Sequence, residues 1–145
     1  ADIFYEKDAI KILKELKIKN GIVMLSFRYW KKYWKKRFKN PLSDLETFRT
    51  NNKNQLVEIG KKTNSYKNIK GQYMGIFKID PNSWIKIKQD LFKNTKNLNK
   101  IDITTLFQLI IKKKICKIYV ENYKKKWFEI DSIKDYKVFK KLTNV

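Results

Sequence analysis

The sequence predicts an α/β fold, a mixed and mostly parallel sheet flanked by helices. Three observations lead there. Helical and extended patterns alternate along 145 residues, which is the signature of layered α/β architecture. Several helix starts carry capping residues. No Gly/Ser linker interrupts the chain, so residues 1–145 read as one domain.

Asp2-Ile3-Phe4 reads as a strand end and the loop after it. Residues 6–18 set Ile10, Leu13 and Leu16 on one face, with Lys and Glu opposite, and predict an amphipathic helix. Asn20-Gly21 ends it, and Gly21–Ser26 is an apolar strand. Residues 28–38 repeat aromatics at helical spacing until Asn40-Pro41 stops the helix. Leu45–Arg49 and Gln55–Ile59 are extended around the polar turn Thr50–Asn54, and Gln72–Ile79 is a third strand. Asp80-Pro81-Asn82-Ser83 caps a helix from about 83 to 93. A polar loop at 94–100 precedes a helix that starts at Asp102 or Thr104. Ile115–Val120 and Trp127–Ile130 are short strands around the turn Asn122–Lys126, and a final helix runs from about Ser132 to Leu142.

Composition narrows the chemistry. There are no histidines, which removes histidine bases, triads and most zinc sites. The single cysteine, Cys116, lies in an apolar run and reads as a small core residue. One cysteine allows no internal disulfide, so a cytoplasmic location is expected. No apolar run approaches the roughly 20 residues of a membrane span.

The net charge is +21, yet only Arg28, Arg37 and Arg49 of the 35 basic residues are Arg. Lys, Asn, Ile, Tyr and Phe share A/T-rich codons, so the charge reads as composition bias over solvated faces. A nucleic-acid surface selected for recognition would use more Arg. No specific nucleic-acid partner and no membrane partner are expected. The alternative reading is a non-catalytic basic domain that binds nucleic acid or another polyanion.

Four segments occur in order at suitable spacing. They are Asp2-Ile3-Phe4, Val57 to Lys62, Gly71 to Lys78, and Trp127-Phe128-Glu129-Ile130-Asp131. Together they resemble the C-terminal part of the nucleotidyltransferases that activate sugar 1-phosphates, phosphocholine or aminoethylphosphonate with an NTP. The nearest likeness is to the phosphocholine or phosphonate cytidylyltransferase-like branch. The resemblance implies an incomplete Rossmann-like sandwich whose N-terminal nucleotide-binding part is missing. It implies NMP transfer from an NTP (CTP or another) to a phosphorylated small molecule, with release of pyrophosphate.

It also implies residue roles. Asp2 and Asp131 match the two catalytic aspartates that hold Mg²⁺. Glu58, Lys61 and Lys62 match the strand and turn that approach the acceptor. Gly71 and Gly75 match points where backbone comes close to it. Mg²⁺ prefers hard oxygen ligands and usually takes one or two carboxylates plus phosphates and water. The four glycines, Gly21, Gly60, Gly71 and Gly75, form no Gly-rich phosphate loop, so the isolated chain is expected to be inactive.

Plainer readings stand beside these. Asp131 before Ser132 is also an N-cap position, Lys61 and Lys62 sit among many lysines, and Gly71 and Gly75 fit a turn and a bulge. Tyr29, Trp30, Tyr33, Trp34 and Phe38 are either a cage for an ammonium group or an aromatic core stripe.

Overall fold

The computed structural model describes residues 2–93 and 100–143. Its elements run β1 (Asp2–Tyr5), α1 (Asp8–Glu15), β2 (Gly21–Phe27), α2 (Trp30–Arg37), β3 (Glu46–Thr50), β4 (Leu56–Lys62) and β5 (Gln72–Ile79). Then come α3 (Pro81–Ile87) with a π-turn at Lys88–Phe92, α4 (Ile103–Lys112), β6 (Lys117–Tyr123), β7 (Trp127–Ile130) and α5 (Ile133–Thr143).

The centre is a three-stranded sheet in the order β5-β2-β6. All seven residues of β2 are buried, because both its faces are covered. The pleat sends Val23, Leu25 and Phe27 into one core, shared with Trp30, Tyr33, Trp34, Trp127 and Phe128. It sends Ile22 and Met24 into a second core, shared with Ile87, Leu91, Phe107 and Ile110. Helices α1, α2 and α5 therefore lie on one side of the sheet, and α3, α4 and the β3–β4 hairpin on the other.

The three-stranded sheet is mixed, as expected, with one parallel and one antiparallel pair. The two further two-stranded sheets, β3–β4 and β1–β7, make antiparallel pairing the majority rather than the expected mostly parallel arrangement. β2 and β6 run parallel, from Gly21↔Lys117 to Phe27↔Tyr123. β2–β5, β3–β4 and β1–β7 are antiparallel. Connection length explains one of these pairs: the short turn between β3 and β4 leaves no room for the crossover that a parallel pair requires.

Local chemistry sets the element ends. α1 stops at Glu15, before the expected residue 18, and Leu16 turns extended. The Lys78 ammonium caps its C-terminal end, donating to the carbonyls of Leu13, Lys14 and Leu16 at 3.2, 3.2 and 2.9 Å. The Asp80 carboxylate accepts from the Ser83 amide at 3.0 Å and starts α3, with Pro81 in the first turn. Asp102 caps α4 through the Thr105 amide at 2.6 Å. β1 is a paired strand rather than a strand end followed by a loop. Cys116 is half-buried beside the second core, and burial pushes its thiol up. The loop expected at 94–100 lies, but for Lys100, outside the described residues. Among the described residues no helix is long and apolar enough to cross a membrane.

Candidate functional site

The first and last strands meet in one ladder. β1 pairs antiparallel with β7, Asp2 opposite Ile130 and Ile3 opposite Glu129. Asp131 follows directly beyond the last paired residue, so Asp2 and Asp131 stand at the same end of the ladder. Asp2 shares its face of the pleat with Ile130, and Glu129 lies on the other face.

Helix α2 organises the acidic side. Its buried residues are Trp30, Tyr33, Trp34 and Arg37, the i, i+3, i+4, i+7 stripe of a core-facing helix. Trp34 stacks on Trp127 with centroids 6.0 Å apart, and its indole N–H donates to Asp44 Oδ2 at 2.9 Å. The Tyr33 hydroxyl donates to the Glu129 carbonyl at 2.7 Å, and burial pushes Tyr33 up to about 12. The aromatic stripe is thus core, and Trp30, Tyr33 and Trp34 form no open cage.

Arg37 occupies the last position of that stripe, with its side chain 1% exposed. Its guanidinium reaches three carboxylates. Nε donates to Asp135 Oδ1 at 2.8 Å, Nη1 to Glu129 Oε2 at 2.9 Å and Nη2 to Asp131 Oδ2 at 2.8 Å. This uses the whole fork of an arginine, a geometry lysine cannot reproduce. Burial pushes Glu129 above the usual carboxylate range, with the Arg37 hydrogen bond opposing it. Burial also acts on Asp135, but there the hydrogen bonds from Arg37 and Ser132 win and hold it low. Ser132 Oγ accepts from the Asp135 amide at 3.2 Å and donates to Asp135 Oδ2 at 2.8 Å. Ser132 therefore caps α5, and Asp131, 43% exposed, is left to face outward.

Beside Asp131 lies a cavity of about 240 Å³. Four carboxylates, Asp44, Glu46, Glu129 and Asp131, line it together with Gln72 and Tyr73. In a chain of net charge +21 this is a local reversal of sign. Burial, Asp102 and Asp44 all push Glu46 upward. Such a pocket favours cations and hydrogen-bond donors. Among the described residues no group of three or more Asp, Glu, Cys or His side chains is arranged to hold a metal ion. The clustered carboxylates converge on a guanidinium instead.

Of the residues nominated from sequence, Asp131 lines this cavity. Glu58, Lys61, Lys62, Gly71 and Gly75 do not. Glu58 accepts from Lys61 Nζ at 2.8 Å and lies 3.9 Å from Arg49, and the Lys61 bond holds its carboxyl low. The Lys61 amide donates to Thr47 Oγ1 at 3.2 Å, and Thr47 is a wall of the cavity. Lys62 pairs with Glu46 across the β3–β4 ladder. Gly71 adjoins Gln72 and packs on Ser26, where a Cβ would be driven into the Ser26 hydroxyl. Gly75, at φ +78°, forms the bulge in β5, and a Cβ there would meet Ile3 Cδ1 at 3.0 Å.

Sequence reasoning passed over Arg37, Asp135, Asp44, Glu46, Gln72 and Tyr73, and gave Glu129 no role of its own. A signal existed for Arg37, a rare arginine at the i+7 position of an aromatic core stripe.

No family model matches the chain. It is 32% identical over 145 residues to CTP:phosphoglutamine cytidylyltransferase of Campylobacter jejuni subsp. jejuni serotype O:2, covering 95% of this chain and 56% of that protein. Its fold is similar to the crystal structure of a Bacillus anthracis protein described as a glucose-1-phosphate thymidylyltransferase, in complex with a sucrose. That likeness has a TM-score of 0.65 and 15% identity, and covers 97% of this chain and 51% of the other. In sequence and in fold the chain is thus nucleotidyltransferase-like, and it spans about half the length of the relatives it matches.

Proposed function

We propose that this chain supplies the metal side and the acceptor side of a nucleotidyltransferase acting on a phosphorylated small molecule. The observation that carries the reading is the 32% identity to a cytidylyltransferase over 95% of the chain. In the proposed reaction an acceptor phosphate oxygen attacks the α-phosphorus of an NTP. The new P–O bond forms as the bond to the β-phosphate's bridging oxygen breaks, and pyrophosphate leaves.

Asp2 and Asp131 would hold Mg²⁺. Both are exposed carboxylates at one end of the β1–β7 ladder. A pair without a third carboxylate suits an ion that completes its shell with phosphate and water. Bound there, Mg²⁺ would supply charge neutralisation at the phosphates.

The chain's own residues do the positioning. Arg37 holds Asp131 Oδ2 at 2.8 Å, and its guanidinium is itself held over the Tyr33, Trp34 and Phe38 rings. Lys61 and Lys62 would serve the acceptor phosphate as point charges, Lys61 held by Glu58 at 2.8 Å, while Gly71 and Gly75 would let backbone approach the acceptor. The acidic cavity takes a cationic or amide-bearing part of the acceptor. Phosphoglutamine, named for the Campylobacter relative, has both an amine and an amide and is the first acceptor to test with CTP.

The test is pyrophosphate release by the full-length protein across the four NTPs and a panel of acceptors. That panel is phosphoglutamine, phosphocholine, aminoethylphosphonate and glucose 1-phosphate. Turnover with one pair, lost on chelating Mg²⁺, is the expected outcome. No turnover with any pair in folded protein refutes the proposal.

A further inference from the structure

The face of α2 next to its buried stripe carries Tyr29, Lys32, Tyr33 and Lys36, again at i, i+3, i+4, i+7. This face lines a cavity of about 570 Å³, separate from the acidic pocket. No residue lines both cavities. The lining also includes the turn between β6 and β7, where Lys124, Lys125 and Lys126 follow one another.

Charge balance in this cavity is one-sided. Lys125 is drawn away to Asp8 at 2.6 Å. Lys32, Lys36, Lys124 and Lys126 have no carboxylate partner among the described residues. Glu6 is the one acidic residue of the lining. An anion seated in the cavity relieves this repulsion, and an ammonium group adds to it.

The floor is aromatic. Phe27 packs on Trp127 with centroids 5.5 Å apart, and Tyr29 stands edge-on to Phe27 at 6.4 Å. Phe27 and Trp127 are buried, and Tyr29 is 54% exposed. The volume lies within the range of small-ligand clefts, about 300–1,000 Å³.

We propose that this groove binds a mononucleotide-sized anion, a phosphate or diphosphate carried on a planar ring, independently of the acidic cavity. The lysines hold the phosphate as point charges, and Tyr29 stacks on the ring.

The experiment is calorimetric titration of the full-length protein with CDP, CMP and inorganic pyrophosphate. It is run at physiological salt with EDTA present, which removes metal-dependent binding at Asp2 and Asp131. CDP should bind about tenfold more tightly than pyrophosphate, the gain from stacking one base. Tyr29→Ala should erase that difference while melting normally. The Lys124→Gln/Lys126→Gln pair should weaken CDP about tenfold, whereas a Lys53→Gln/Lys112→Gln pair elsewhere on the surface, like Asp131→Asn, should leave it unchanged. Equal binding of CDP and pyrophosphate overturns the proposal, as does equal weakening by the two lysine pairs. Loss of binding in Asp131→Asn, or tight binding confined to an RNA oligonucleotide, also overturns it.

Discussion

Replacing Arg37 with methionine tests how the acidic side of the molecule is held together. The guanidinium makes three charge-assisted bonds of 2.8–2.9 Å while its side chain is 1% exposed. Removing it strands Glu129 and Asp135 without their cation. Breaking a buried ion pair from one side costs about 3–5 kcal/mol. That is a large part of the roughly 5–15 kcal/mol that holds a typical domain folded. Arg37→Lys keeps the charge but loses the fork, so a loss of about 1.5–3 kcal/mol is expected.

Urea unfolding followed by tryptophan fluorescence, at a series of pH values, measures both. In the wild type Asp135 is held below its unfolded value, so its contribution is present at neutral pH and fades as pH falls. Glu129 is held above its unfolded value, so it opposes folding at neutral pH and is relieved as pH falls. The two partly cancel. Without Arg37 the buried carboxyls shift upward, and the Arg37→Met variant should recover stability relative to wild type between pH 7 and pH 4. A loss below about 1 kcal/mol, or a difference that stays constant over that pH range, would refute the reasoning.

Three further outcomes are expected. In the full-length protein, if Asp131 holds the proposed Mg²⁺, Asp131→Ala should lower nucleotidyl transfer at least about 100-fold, since such an ion supplies several kcal/mol, with little change in melting temperature. Gly71→Ala should destabilise by about 1–3 kcal/mol through overpacking, and Ser26→Ala should restore much of it, because the Ser26 hydroxyl is what an added Cβ meets; additive losses in a double-mutant cycle would contradict this. The 145 residues alone should release no pyrophosphate from any NTP, since their glycines form no phosphate-cradling loop; a pyrophosphate-coupled assay detects the opposite result.

Much of the fold was readable because it rests on local rules. Gln72–Ile79 and Trp127–Ile130 are strands at the expected bounds. Asp80 and Asp102 cap helices where short-range hydrogen-bonding chemistry places them. The errors came from distant contacts. The end of α1 depends on Lys78, more than sixty residues away, and no periodicity in residues 6–18 contains that ammonium. The Arg37 cluster joins positions separated by 92 to 98 residues. Asp44, Glu46, Gln72 and Tyr73 share a cavity with Asp131 only because the β3–β4 hairpin and β5 are packed beside β7. A motif scan finds Asp131 by its neighbours in sequence, but the groups that set its chemistry are neighbours in space.

The central strand poses a problem of alignment during folding. A strand with one wet face punishes a one-residue slip by throwing its apolar side chains into water. β2 has no wet face, so a slip would merely exchange Val23, Leu25 and Phe27 with Ile22 and Met24 between two dry interiors. Hydrophobicity is therefore blind to the error, and shape must detect it. Gly21 lies so close to the Lys117 carbonyl that a Cβ there would stand 2.7 Å from it. A slipped β2 would bring a bulky side chain to that point. The register shift opposite Gly75 marks the native alignment of β2 with β5. These two glycines act as gauges of correct threading, and a larger residue at Gly21 would blunt the discrimination between native and shifted β2 as well as strain the native state.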